Sequence, residues 1–175
     1  MMQTSPALSN VTQLRSDPIY NQGIPEVEIR QRIEDYFDAV RSGELDRILS
    51  FFADDVVGYD MPPKLRFEGI ESYKTSWEKC FVNMFEFPVS YELRDERIFS
   101  SGDIALVHGL VRMQGKFKNP AEAGEERVDC WMRQTLGLKR VGGQWLIVHD
   151  HISIPIDYDG KGLMKIDPNS DPELE

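Results

Sequence analysis

Cysteine is scarce in this chain: Cys80 and Cys130 are the only two among 175 residues. That excludes a disulfide-dense secreted scaffold. Both thiols fall inside apolar patterns, which predicts buried cysteines in a reducing compartment. Histidine is nearly as rare, with three residues. A metal centre needs three converging ligands, and His149 and His151 supply only a pair on one strand, so no metal is expected. No apolar run approaches the roughly 20 residues that span a bilayer, and Met1 to Gln22 lacks the basic start and apolar core of a secretory signal. Basic charge is in deficit, 20 residues against 30 acidic ones for a net charge of -10, which argues against a nucleic-acid or anionic-membrane partner. Phosphate loops, dinucleotide glycine fingerprints and nucleophile elbows are missing. These absences predict a cytoplasmic protein whose chemistry, if any, is acid–base work without a cofactor.

What is present is a globular composition, 41% hydrophobic and 29% charged, on a chain long enough for one substantial core. Residues 1–23 read as a flexible leader, 24–156 as the folded domain and 157–175 as a polar tail. Pro25 followed by Glu26 and Glu28 opens a helix, because proline tolerates the first turn and acids suit the helix dipole. Ile29, Ile33, Tyr36, Phe37 and Val40 share one face of it, and Gly43 ends it. Leu45, Ile48, Leu49 and Phe52 predict a short second helix. Val56 to Asp60 reads as a strand ended by Met61-Pro62-Pro63. A third helix opens near Gly69 with Ile70, Tyr73, Trp77, Cys80, Phe81 and Met84 along one stripe, and Pro88 lies past its end.

Everything after Pro88 alternates like strand: Val89 to Leu93, Ile104 to Phe117, Val128 to Lys139 and Gln144 to Ile154, separated by Gly102, by the loop from Asn119-Pro120 to Gly124 and by Gly142-Gly143. Helices first and a long meander second predict an α+β fold: N-terminal helices packed on a strongly curved antiparallel sheet, cone-shaped and enclosing a pocket. Trp145, Leu146, Ile147 and Val148 are apolar at both parities, which fits a sheet covered on both faces. Helices and a pocket would cover one face, and a second copy of the chain the other, giving a homodimer through the sheet.

The runs from Tyr36 to Leu45, from Phe52 to Val56 and from Gly143 to Pro155 resemble the SnoaL-like and ketosteroid isomerase-like superfamily, whose fold is nuclear transport factor two-like and cystatin-like. The resemblance covers roughly residues 26–156. It implies a curved sheet wrapped around a long helix, with an apolar cone that takes an apolar, oxygenated small molecule. It places Tyr36 at the first-helix tyrosine that donates a hydrogen bond to an enolate oxygen, and Asp60 at the aspartate that shuttles the proton. Thr135 stands where the isomerases carry a protonated aspartic acid. A threonine donates a hydrogen bond but is no strongly acidic donor, so steroid isomerisation itself is not implied. The superfamily also holds cyclases, hydrolases and non-catalytic association modules.

The residues themselves leave alternatives open. Asp60 is a general base whose pKa an apolar cone would raise, or an acceptor for the backbone of the following turn. Tyr36 is core in either case; its hydroxyl points into the cavity or finds a backbone partner. Tyr59, Trp77 and Phe81 are candidate substrate contacts. Trp131, Arg133 and Thr135 alternate on one strand as a pocket wall for an acidic or aromatic group, or as an ion-paired sheet surface. His151 is a candidate acid, base or orienter, with His149 and His108 as further substrate contacts; each can equally be a structural imidazole.

Overall fold

The computed structural model describes residues 23–61 and 64–155. The expected leader up to residue 22, the whole of the expected tail and the Pro62-Pro63 pair lie outside these residues. Helix α1 (Gly23–Ser42) carries the long apolar stripe. Ile29, Ile33, Tyr36, Phe37 and Val40 are each at most 2% exposed, and burial of such side chains contributes about 1.5–3 kcal/mol apiece. Its polar side ties the helix to the sheet: Arg32 donates to the carbonyls of Trp145 and Ser50, and Arg41 to the carbonyl of Tyr91. Gly43, at a φ of 71°, ends it as expected.

Helix α2 (Leu45–Leu49) leads into β1 (Phe52–Tyr59), so Phe52 opens a strand where helical spacing had placed it in α2. A two-residue strand β2 (Phe67–Glu68) precedes α3 (Ile70–Trp77). The third helix does not continue regularly to Met84: one π-helical turn, Glu78–Val82, follows and swings Phe81 round to Trp77, with ring centroids 5.2 Å apart.

The meander consists of β3 (Phe85–Ser101), β4 (Ile104–Phe117), β5 (Arg127–Val141) and β6 (Gln144–Ser153), with a short helix α4 (Pro120–Ala123) in the loop between β4 and β5. Strand β3 begins before Pro88. The sheet order β2-β1-β6-β5-β4-β3 makes β3 an edge, and its pairing with β4 shifts register between Glu86 and Ser90, so a residue without an N–H is tolerated there. The six-stranded sheet is curved and unclosed. Its pairs are antiparallel except β1 with β6, which run parallel because helix α3 and the whole meander intervene between them. Among the described residues no helix is long and apolar enough to cross a membrane.

Candidate active site between the helices and the inner sheet face

Side-chain alternation decides which residues meet the helices. On β5 the inward set is Cys130, Met132, Gln134, Leu136 and Leu138; on β6 it is Trp145, Ile147, Asp150 and Ile152, with a register shift near Leu138 that restores the phase. Between this face, α3 and the π-turn lies a cavity of about 360 Å³. Asp60 and Ser76 are its polar wall, and Trp77, Phe81, Met132 and Ile152 are among its apolar ones. Every methionine and cysteine among the described residues also lines it: Met61, Met84, Met113 and Met132 with Cys80 and Cys130. Thioether walls are unbranched and polarisable, and so adapt to a ligand's shape. A groove of about 460 Å³ is larger, but it lies at the outer face beside Gln114, Lys116, Arg127 and Asp129 and has no comparable apolar lining.

Asp60 follows directly on β1. Its carboxylate accepts a hydrogen bond from the Met61 amide at 2.7 Å and lies 3.4 Å from the Ser76 hydroxyl. It accepts from the backbone of its own turn and also lines the cavity. Burial raises its pKa above the ordinary aspartate value, against the pull of those two donors.

Behind the cavity sits a polar network that sequence reasoning missed. Asp150 is fully buried; it accepts from the Tyr73 phenol at 2.8 Å and from the Gln134 amide at 3.0 Å. Tyr91 in turn lies 3.4 Å from the Gln134 oxygen. Burial pushes the Asp150 pKa up to about 7, opposed by the Gln134 and Tyr73 donors and reinforced by the charge of Asp60. The phenols of Tyr36, Tyr73 and Tyr91 are held well above the tyrosine range, first by burial and then by the nearby Asp150 charge. The available signal was parity: Asp150 alternates with the histidines and shares its phase with Ile152, but a carboxylate at an inward position breaks the apolar rule that would have located it.

Tyr36 packs edge-on against Phe52 and Trp77. Its hydroxyl is buried close to the Gln134 side chain without a hydrogen bond of good geometry, feels the charges of Asp150 and Asp60, and does not line the cavity. Trp77 and Phe81 line the cavity as expected of substrate contacts.

The other expected site residues do not join them. Tyr59, His149 and His151 cluster on the opposite face, Tyr59 lying 5.0 and 5.8 Å from the two imidazoles by ring centroids. His149 Nδ1 is 2.9 Å from the Val57 carbonyl. His108 stacks on Phe99 across the edge strand. Trp131 is buried beneath the guanidinium groups of Arg94 and Arg112, while Arg133 and Thr135 stand beside it on the outer parity of β5. The structure therefore corrects the expectation of one cavity shared by Asp60, His151, His149, His108, Trp131, Arg133 and Thr135. Asp60 lines the cavity, but one residue of alternation puts Asp150, Gln134 and Met132 inside and His108, Trp131, Arg133, Thr135, His149 and His151 outside. Cys130, with its thiol pushed up to about 11 by burial, stays protonated at neutral pH. Among the described residues no three His, Cys, Asp or Glu side chains gather as a metal ion would need.

Helices stacked on the inner face of an open, curved sheet, with an acid-bearing apolar cavity between them, define the cone-shaped pocket fold called NTF2-like or cystatin-like. A model of the SnoaL-like domain matches residues 29–157, and the chain belongs to that family. Its structure is similar to that of an NTF2-like protein of unknown function from Pseudomonas putida KT2440, at 35% identity over 84% of this chain and 99% of that one, with a TM-score of 0.70. A ketosteroid isomerase-like protein from Erwinia carotovora atroseptica shares the fold at 16% identity, covering 73% of this chain and 93% of its own, with a TM-score of 0.59. The association domain of C. elegans CaMKII does so at 16% identity over 76% of this chain and 91% of its own, again at 0.59. Among curated proteins none matches significantly.

Proposed function

We propose that the cavity binds an apolar small molecule bearing a carbonyl, and that Asp60 moves a proton on the carbon next to it. The observation that carries this reading is a largely buried carboxylate on the wall of an apolar cavity, with its pKa raised by that burial. Such a group is a stronger base than an exposed aspartate once ionised. As Asp60 takes the proton, negative charge develops on the carbonyl oxygen. The Tyr36 hydroxyl, buried beside Trp77 just behind the cavity wall, is the donor assigned to that charge. Asp150, poised near neutrality, holds Tyr73 and Gln134 in place behind the floor and stores a second proton. Returning the first proton to another carbon gives isomerisation; expelling a β-hydroxyl gives dehydration; attack of the enolate on a second carbonyl gives cyclisation. None of these requires a cofactor, and a cytoplasmic setting accords with the free thiols.

The test is deuterium exchange, followed by NMR, at the carbon next to the carbonyl in a panel of cyclic ketones and enones. Exchange catalysed by the wild type and lost in Asp60→Asn, with ligand binding retained, supports the assignment; equal exchange by both proteins refutes it. A second reading, an association module, draws on the exposed Tyr59, Phe99 and Leu106 of the outer sheet face. A homodimer is its simplest form, and sedimentation of the purified chain tests it.

A further inference from the structure

The cavity wall carries one carboxyl and one hydroxyl, and they come from different elements. Asp60 follows β1, and Ser76 stands in the last turn of α3. Ser76 is 4% exposed. A serine or threonine inside a helix commonly donates to the carbonyl four residues earlier, as Thr75 does to Glu71 at 3.2 Å. The Ser76 hydroxyl does not. Among the described residues its hydrogen bond runs to Asp60 Oδ2, at 3.4 Å. That is long for a hydroxyl on a carboxylate, where about 2.5–2.7 Å is usual. The Met61 amide meanwhile holds Asp60 Oδ1 at 2.7 Å. Ser76 is thus a loosely engaged donor on the wall of an apolar cavity, beside a carboxylate that has a second and shorter bond. Tyr36 Oη and Trp77 Nε1 are also without partners, but both are covered.

Charge narrows what can enter. Among the described residues no lysine, arginine or histidine lines the cavity. The titratable groups that surround Asp60 are all acids: Asp150 on β6, Tyr36, Tyr73 and Tyr91 on α1, α3 and β3, and Cys80 and Cys130 on the π-turn and β5. An anionic ligand would meet the Asp60 charge with no cation to offset it.

We infer that Ser76 is the specificity-determining donor of this cavity, its hydroxyl turning from Asp60 to the oxygen of an uncharged, apolar carbonyl ligand. The inference rests on the reading of the cavity as a carbonyl site and adds to it the residue that tells a carbonyl from a hydrocarbon. Rotation about a single side-chain bond exchanges the partners, and a serine with one O–H proton serves one acceptor at a time. Burial raises the Asp60 pKa, while the Met61 amide and the Ser76 hydroxyl pull it back. A ligand oxygen that draws Ser76 away therefore leaves Asp60 with one donor fewer and makes it a better base as the ligand arrives. Ser76 lends a hydrogen bond and keeps its proton throughout; the proton from the ligand carbon goes to Asp60. A hydrocarbon of the same shape leaves the Ser76 bond where it was.

Two measurements on the full chain test this, one of them without a ligand. Carbon-13 NMR of the Asp60 carboxyl, assigned by its absence from Asp60→Asn, follows the titration in the wild type and in Ser76→Ala, with circular dichroism as the check on folding. The midpoint is expected to be higher in Ser76→Ala, since the carboxylate has lost a donor. An unchanged or lower midpoint overturns the inference. The second measurement is binding of 2-tetralone and of tetralin, the same frame without the oxygen, read by quenching of tryptophan fluorescence. The wild type is expected to bind the ketone more tightly, and Ser76→Ala to lose about threefold to tenfold for the ketone alone. A wild type with no preference for the ketone, or a variant that weakens both probes equally, overturns the inference. Neither measurement needs turnover, so failure of the wild type to exchange protons counts against Asp60 as the base and leaves Ser76 to be judged on these results.

Discussion

Replacing Asp150 with asparagine tests whether the buried carboxyl is held as an acid near neutral pH. The side chain is fully buried, and its pKa stands at about 7 against 3.8 for an exposed aspartate. Between these two values the folded chain carries a proton that the unfolded chain has released. Stability therefore falls as pH rises through the window, and the decline levels off above about pH 7. The gap between the two values corresponds to about 4 kcal/mol over the whole window, of which about 3 kcal/mol falls between pH 5 and pH 8. Asparagine has nearly the same shape and keeps the Tyr73 bond, and a turned Gln134 amide meets its new N–H group, so the variant has no titration at this site. Urea unfolding followed by circular dichroism at pH 5, 6, 7 and 8 gives both curves. The wild type should lose about 3 kcal/mol relative to the variant across that range, most of it below pH 7. Parallel curves, or a wild type that gains stability relative to the variant as pH rises, would refute the account of Asp150 as an acid raised by burial.

Tyr36→Phe removes a buried hydroxyl that makes no hydrogen bond of good geometry, so thermal stability should hold or rise by about 1 kcal/mol, while turnover of any carbonyl substrate found for the cavity falls; a large loss of stability would show that the hydroxyl is bonded to the nearby Gln134. Asp60→Asn should lower the rate of proton exchange by about a hundredfold or more, and the wild-type rate should rise with pH through a pKa above the ordinary aspartate value, because burial raises it. A flat pH–rate profile would exclude Asp60 as the base. Gly58→Ala puts a methyl group 2.9 Å from the Tyr73 ring. Displacing that ring breaks its bond to Asp150, so the variant should lose about 2 kcal/mol or more in urea unfolding. Met132→Trp fills the cavity from β5; it should abolish binding of apolar fluorescent probes while circular dichroism stays that of the wild type.

Some of this was legible along the chain because local physics fixes it. The five apolar positions from Ile29 to Val40 repeat at helical spacing, and nothing else in the neighbourhood competes with that period, so α1 and its buried face follow from the residues alone. Strand β4 has the expected bounds, Ile104 to Phe117, because Gly102 turns the chain before it and Asn119-Pro120 after it. Asp60 could be placed beside a cavity because the resemblance matches it to an aspartate at the end of the first strand; the residues alone left it equally an acceptor for its own turn. Phe52 went the other way: its spacing suits α2, but pairing with β6 drew it into β1.

The sequence by itself determined the order of elements, the helical stripe, the hairpin turns and a meander carrying apolar residues at both parities. Tertiary structure alone decided which parity faced the helices. On β6, His149 and His151 alternate with Asp150, and either set could have been the inner one, since Trp145 to Val148 are apolar in both phases. Packing of α1 and α3 against one face, with the register shift near Leu138, sent the carboxylate in and the imidazoles out. The phase of a strand is a relation between distant segments. Alternation along the chain fixes two faces but not which of them the helices will cover.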